Sequence, residues 1–291
     1  MLTRRECLIG TGLTAAGLAI GGKTRELLAD AVASGLKVGM CDWSLKRRDP
    51  SVFELAKQIG LDGVQVSIGS VEDNLQLRQT KVQKAYVEAA RKTGLKIPSL
   101  AMGLLNDVPL MSEPRAALWV ADAIKVTHTL GVRPLLLAFF GKGELKQENK
   151  TDMQRVIDVL VELAPRAEDA GVILGLESYL SAEANLRILD AVKSEAVQVY
   201  YDFYNSGVRK KHDVFKEIKQ LGRERICEVH FKEGSSRLGQ SAVMDWKKVV
   251  STLKEIGYSG WIVLETSCPN DIVKDTQANL AYTRKLLASR S

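Results

Sequence analysis

Beyond residue 33 the chain alternates between short apolar runs and longer stretches in which apolar residues recur every three or four positions. The short runs fall at residues 37–41, 63–68, 96–102, 133–140, 172–177, 197–202, 225–231 and 260–265, and each reads as a buried strand. Helical spacing follows them. Residues 51–59 carry Val52, Phe53, Leu55, Ala56 and Ile59, and residues 152–170 repeat Val156, Val159, Leu160, Leu163 and Ala167. Residues 247–256 and 271–287 do the same. Gly60, Gly94, Gly131, Gly171 and Gly257 each stand where a helical stretch ends, at the position that favours a left-handed backbone. Strands that alternate with helices pair in parallel, because each helix returns the chain to the end where the strand began. Eight such units in about 250 residues predict a closed (β/α)8 barrel, an α/β fold with a single domain spanning residues 34–291. An open doubly wound sheet would often show a glycine-rich turn after its first strand; here that turn reads Asp42-Trp43-Ser44-Leu45-Lys46.

The first 33 residues have another character. Arg4 and Arg5 precede an uncharged Gly/Ala/Leu-rich run at residues 9–22, too short and too rich in glycine for a stable membrane anchor. Ala31-Val32-Ala33 is a small-x-small site of the kind signal peptidase cuts. The pattern resembles a bacterial twin-arginine (Tat) leader, so residues 1–33 are expected to be a signal peptide and the protein to be exported to the periplasm. A disordered or amphipathic tail is the plainer alternative.

Composition narrows the class. A 45% hydrophobic and 26% charged chain is ordinary for a globular protein and excludes a disordered, collagen-like or multi-span membrane chain. The formal charge of +6 is too mild to argue for nucleic acid. Cys7 leaves with the leader, so Cys41, Cys227 and Cys268 remain, an odd set that leaves at least one thiol without an intramolecular partner. Cys41 ends the first strand and Cys268 lies just beyond the eighth, its neighbour in a closed barrel; a disulfide is open to them after export, while free thiols are the favoured reading.

Chemistry in this fold sits at the C-terminal ends of the strands. The fifth to eighth strands end on Glu177, Asp202, His230 and Glu265. Singly each has a plain reading: a loop glutamate, a helix-capping aspartate, a core histidine. Together they place three carboxylates and an imidazole at one mouth. Three carboxylates gathered without compensation would repel, and one or more would take up a proton. A divalent cation removes that problem, and three oxygen donors with one imidazole suit Mn²⁺, Mg²⁺ or Co²⁺, with Zn²⁺ also admissible.

With its strand ends Leu176-Glu177-Ser178, Tyr201-Asp202-Phe203-Tyr204-Asn205, Val229-His230-Phe231-Lys232-Glu233 and Leu264-Glu265-Thr266, the sequence resembles the xylose isomerase-like TIM-barrel superfamily over residues 36–288. The nearest branch is the sugar phosphate isomerase/epimerases and ketose 3-epimerases. The resemblance implies one divalent metal ion held by Glu177, Asp202, His230 and Glu265, with the two glutamates also exchanging protons with the substrate as catalytic residues. Asn205 stands where many ketose epimerases have histidine; it still donates a hydrogen bond to a sugar hydroxyl but is no acid near neutral pH. The family's substrate-binding arginine falls on Ser236, which shifts that assignment to Arg237. Glu183 matches a second family glutamate, or merely begins the next helix. Lys232 shares the face of His230 by the two-residue strand period and is expected to bind substrate. Trp43 and the pair Phe139-Phe140 either wall the sugar or pack.

The implied activity is that of an isomerase or epimerase working through an enediolate on a small carbohydrate. Export favours an unphosphorylated sugar or keto-sugar, since sugar phosphates are largely intracellular; the loop at residues 234–239 either cradles a phosphate or is simply solvated. A lyase acting on a 3-keto-glycoside, or a dehydratase, would use the same enolate chemistry. Endonuclease IV-like repair enzymes share the superfamily but need many histidines, whereas this chain has only His128, His212 and His230. A non-catalytic sugar-binding barrel is opposed by the complete ligand set. No nucleic acid partner or stable membrane anchor is expected, and a homo-oligomer is compatible with the sequence.

Overall fold

Eight parallel strands close on themselves in chain order: β1 (Lys37–Cys41), β2 (Gly63–Ser67), β3 (Leu100–Met102), β4 (Pro134–Phe139), β5 (Ile173–Ser178), β6 (Val197–Asp202), β7 (Ile226–Phe231) and β8 (Trp261–Leu264). Closure is made by β8 on β1, from Lys37 opposite Trp261 to Met40 opposite Leu264. This computed structural model describes residues 35–289, and the signal expected at residues 1–33 lies outside them.

A helix follows each strand: α1 (Val52–Ile59), α2 (Thr80–Thr93), α3 (Pro114–Thr129), α4 (Lys150–Asp169), α5 (Ala182–Val192), α6 (Val214–Leu221), α7 (Trp246–Glu255) and α8 (Ile272–Ala288). The five glycines expected at helix ends all have positive φ, Gly60 among them at 98°. Helix starts are capped by side chains. Ser181 Oγ accepts from the Ala184 N–H, and Asp213, Asp245 and Asp271 cap α6, α7 and α8 in the same way. β3 is shorter than the run at residues 96–102. Pro98 has no N–H to give a ladder, and Lys96 makes only an isolated bridge to Gly63.

The two-residue period divides each strand between two cores. Outward side chains such as Val38, Met40, Val64 and Val66 join the large cluster shared with the helices. Inside the barrel a small cluster holds Ala101, Leu136, Ala138 and Tyr200. Gly175 gives Tyr200 its room: a Cβ there would lie 3.2 Å from the Tyr200 Cβ and 2.7 Å from Cys227 Sγ. Cys41 and Cys268 form no disulfide, and all three described cysteines are free. The strand period turns Cys41 into the barrel, 3.1 Å from Gln65 Oε1, whereas Cys268 Sγ lies 3.3 Å from Thr276 Oγ1 on α8. Among the described residues no helix is long and apolar enough to cross a membrane.

Candidate active site

The four strand-end residues meet. Glu177 lies on β5, Asp202 closes β6 and is the register partner of His230 on β7, and Glu265 follows β8. One ligand atom from each lies within 4.8 Å of the others. His230 Nδ1 is the common point, 3.1 Å from Glu177 Oε1, 3.7 Å from Glu265 Oε2 and 3.9 Å from Asp202 Oδ2. Glu177, Asp202 and His230 are buried, and Glu265 is partly open to the mouth.

Lys232 answers part of the negative charge. Its Nζ lies 2.5 Å from Glu265 Oε2 and 2.9 Å from Asp202 Oδ2. Trp43 Nε1 donates to the other Glu265 oxygen at 3.1 Å. These neighbours separate the two glutamates. Burial pushes the Glu177 carboxyl up, and His230 offsets this only in part. Burial also acts on Glu265, but Lys232, His230 and the Trp43 N–H outweigh it and hold that carboxyl below its ordinary value. For His230, burial disfavours the charged ring, yet Glu177, Glu265 and Asp202 prevail and raise its pKa. Lys232 is driven up in the same sense, burial being outweighed by Asp202, Glu265 and Glu177.

Asp202 carries the clearest sign of a missing partner. Its Oδ1 accepts the Asn205 N–H at 2.7 Å, while the buried Oδ2 has no hydrogen-bond donor. Lys232 stands close enough to Oδ2 for charge pairing but not in line for a hydrogen bond. A buried carboxylate oxygen left without a donor, converging with two more carboxylates and an imidazole nitrogen, is the donor set of a hard or borderline divalent cation. The residues fit such an ion.

The other sequence-derived residues divide. Trp43 and Lys232 touch the cluster, and Asn205 is buried beside Asp202 on a π-helical turn at Tyr204–Arg209, a conformation frequent at functional sites. Glu183 is an exposed residue of the first turn of α5, paired with Arg187 at 2.8 Å, so it begins a helix and does not join the cluster. Arg237 reaches Asp275 at 3.6 Å, and no contact ties it to Glu177, Asp202, His230 or Glu265. Phe139 is core packing, whereas Phe140 faces the barrel interior and tilts on Tyr179 with ring centroids 4.7 Å apart. His128 binds the Ala170 carbonyl and His212 pairs with Ser206 and Glu217, both away from the cluster.

Sequence reasoning missed the layer beneath. Gln65, Ser99, Tyr200 and Glu228 are buried and joined by hydrogen bonds below His230. The period offers a signal for two of them, since Tyr200 and Glu228 stand two residues before Asp202 and His230 and must face the same way. Burial pushes the Glu228 carboxyl up to about 7, against the pull of Ser99 and Tyr200. At the end of β1, burial likewise pushes Asp42 to about 6, although Ser67 binds it through both its hydroxyl and its N–H.

Comparison with known proteins gives the family and the fold. A family described as "Xylose isomerase-like TIM barrel" matches residues 53–286. L-ribulose-5-phosphate 3-epimerase UlaE of Escherichia coli K12 is 27% identical over 255 residues, covering 82% of this chain and 88% of that protein. The fold is shared with D-psicose 3-epimerase of Clostridium cellulolyticum H10, at a TM-score of 0.72 and 17% identity over 86% of this chain and 99% of the other. It is shared equally with the E. coli 3-keto-D-glucoside 4-epimerase YcjR, at a TM-score of 0.70 and 16% identity over 86% and 99% of the two chains.

Proposed function

Because the chain belongs to the xylose isomerase-like TIM-barrel family, we propose that it is a divalent-metal-dependent sugar epimerase acting on an unphosphorylated ketose or keto-sugar. The observation that carries this reading is the convergence of four donor atoms within 4.8 Å, with Glu177 and Glu265 flanking Asp202 and His230 around the mouth. A divalent cation held by these four residues would supply Lewis-acid polarisation of a substrate carbonyl oxygen. Glu265, kept ionised by Lys232, takes the proton from the carbon next to that carbonyl, and the C–H electron pair becomes the double bond of the enediolate. Glu177, on the other side of the mouth, returns a proton to the opposite face and inverts the carbon, and exchange with solvent resets the pair. Lys232 and the Trp43 N–H hold the Glu265 carboxylate in place, and the Asn205 N–H holds that of Asp202.

Four backbone N–H groups of the loop after β7 are already bound within the protein, which weighs toward a neutral substrate. A phosphate cradle needs free backbone N–H groups. Here the Ser236 N–H binds the Glu233 carbonyl, those of Gly239 and Ser241 bind the Glu233 carboxylate, and that of Leu238 binds Asn279. Arg237 is turned to Asp275. The twin-arginine leader adds to this reading, and we place the protein's action in the periplasm. The test is a screen of neutral ketoses and 3-keto-glycosides beside their phosphate esters, with Mn²⁺-loaded protein and NMR detection. A new stereoisomer from a neutral sugar is expected. Turnover of phosphate esters alone would overturn the substrate class, and an unsaturated product would make the protein a lyase.

A further inference from the structure

The buried layer beneath the four ligands takes no part in the proton transfers above, and its hydrogen bonds all run one way. Glu228 Oε2 accepts from Ser99 Oγ and from the Tyr200 hydroxyl, the latter at 2.7 Å. A hydroxyl has one hydrogen, so both groups, having given it to Glu228, can only accept from their other neighbour. That neighbour is Gln65, whose Nε2 lies 2.9 Å from Ser99 Oγ and 3.0 Å from the Tyr200 oxygen. The amide is therefore fixed with its two hydrogens toward the hydroxyls and Oε1 turned away from them. Oε1 sits 2.9 Å from His230 Nε2 and also accepts from Cys41 Sγ at 3.1 Å. An amide oxygen only accepts, so His230 Nε2 carries hydrogen. In the neutral ring this leaves the lone pair on Nδ1, the atom that faces Glu177, Asp202 and Glu265.

We propose that Gln65, through the Ser99–Tyr200–Glu228 chain behind it, is a positioning residue that fixes the tautomer and orientation of His230 as a cation ligand. Its consequence for affinity rests on the metal-binding reading above; the tautomer does not. Outer partners of a ligating histidine commonly matter 10- to 100-fold in metal affinity.

The chain has only three histidines, so ¹⁵N-histidine labelling gives a spectrum that His128→Gln and His212→Gln variants assign outright. In Mg²⁺-loaded protein the His230 ring should carry its hydrogen on Nε2. Gln65→Met removes the acceptor while keeping an apolar shape of similar length; it should disturb the Nε2–H signal and weaken Mg²⁺ binding by calorimetry about 10- to 100-fold. Gln65→Glu keeps an oxygen toward Nε2 and, with its other oxygen protonated toward Ser99 or Tyr200, should retain the tautomer and most of the affinity. Hydrogen on Nδ1 in the wild type would overturn the proposal, as would unchanged affinity in Gln65→Met or equal losses in the Met and Glu variants. Should the wild type take up no divalent ion, the metal reading itself falls, and the tautomer of the neutral ring at alkaline pH still decides the role of Gln65. If Gln65→Met does not fold, the wild-type and Gln65→Glu spectra decide it.

Discussion

Glu228→Gln should change how stability depends on pH, by an amount that follows from its burial. The Glu228 carboxyl is pushed from an ordinary 4.5 to about 7, because desolvation exceeds the pull of the Ser99 and Tyr200 hydroxyls. A raised carboxyl pKa means that the folded protein binds this proton more tightly than the unfolded chain does. The associated stability is fully present below the unfolded pKa and is lost as pH rises through about 7. At about 1.4 kcal/mol per pH unit, the loss across that window is about 3 kcal/mol. Glutamine does not titrate there, and its amide oxygen can still take the two hydroxyl hydrogens. The difference in unfolding free energy, wild type minus variant, should therefore fall by about 3 kcal/mol between roughly pH 4 and pH 8. Urea titrations in chelator, at several pH values, measure it without a contribution from bound ions. For a chain of this size the same difference corresponds to about 6–12 °C in Tm. Parallel pH profiles, or a wild type that gains on the variant as pH rises, would refute the reasoning.

Elemental analysis of the purified protein should give close to one divalent ion per chain, and Asp202→Ala should abolish tight binding by calorimetry; several tightly held zinc ions would contradict the four-ligand site. Lys232→Met removes the ammonium that holds Glu265 low, so the acid limb of the kcat/KM profile should move to higher pH. An unmoved limb would take Glu265 out of the role of base. Replacing Arg4 and Arg5 together by Lys should leave the full-length protein in the cytoplasm, and an uncut wild type found there by fractionation would overturn export.

The barrel and its four strand-end residues were legible because they break the local pattern. A carboxylate or imidazole that closes an apolar run, as Glu177 and Asp202 do, stands out in a single strand, and the chain order of the strands then brings the ends together. Gln65 breaks the run of β2 as well, but between Val64 and Val66 it gives no hint of its partners. Those come from residues 99, 200 and 228, and their meeting depends on the stagger of a closed sheet, which no local spacing contains. The residues placed by family offset meet nearer partners in this chain: Arg187, one helical turn on, pairs with Glu183, and Asp275 pairs with Arg237. Cys41 and Cys268 stay unpaired because strand-end neighbours share a bond only if their side chains point the same way, and these two face Gln65 and Thr276.

Turnover in D₂O tests the central claim most directly. If Glu265 and Glu177 remove and return a proton, the epimerised sugar should carry deuterium on the inverted carbon, and Glu177→Gln or Glu265→Gln should keep some bound metal while losing two or more orders of magnitude in turnover. A product free of deuterium, or either glutamine variant with full metal and full activity, would contradict the account.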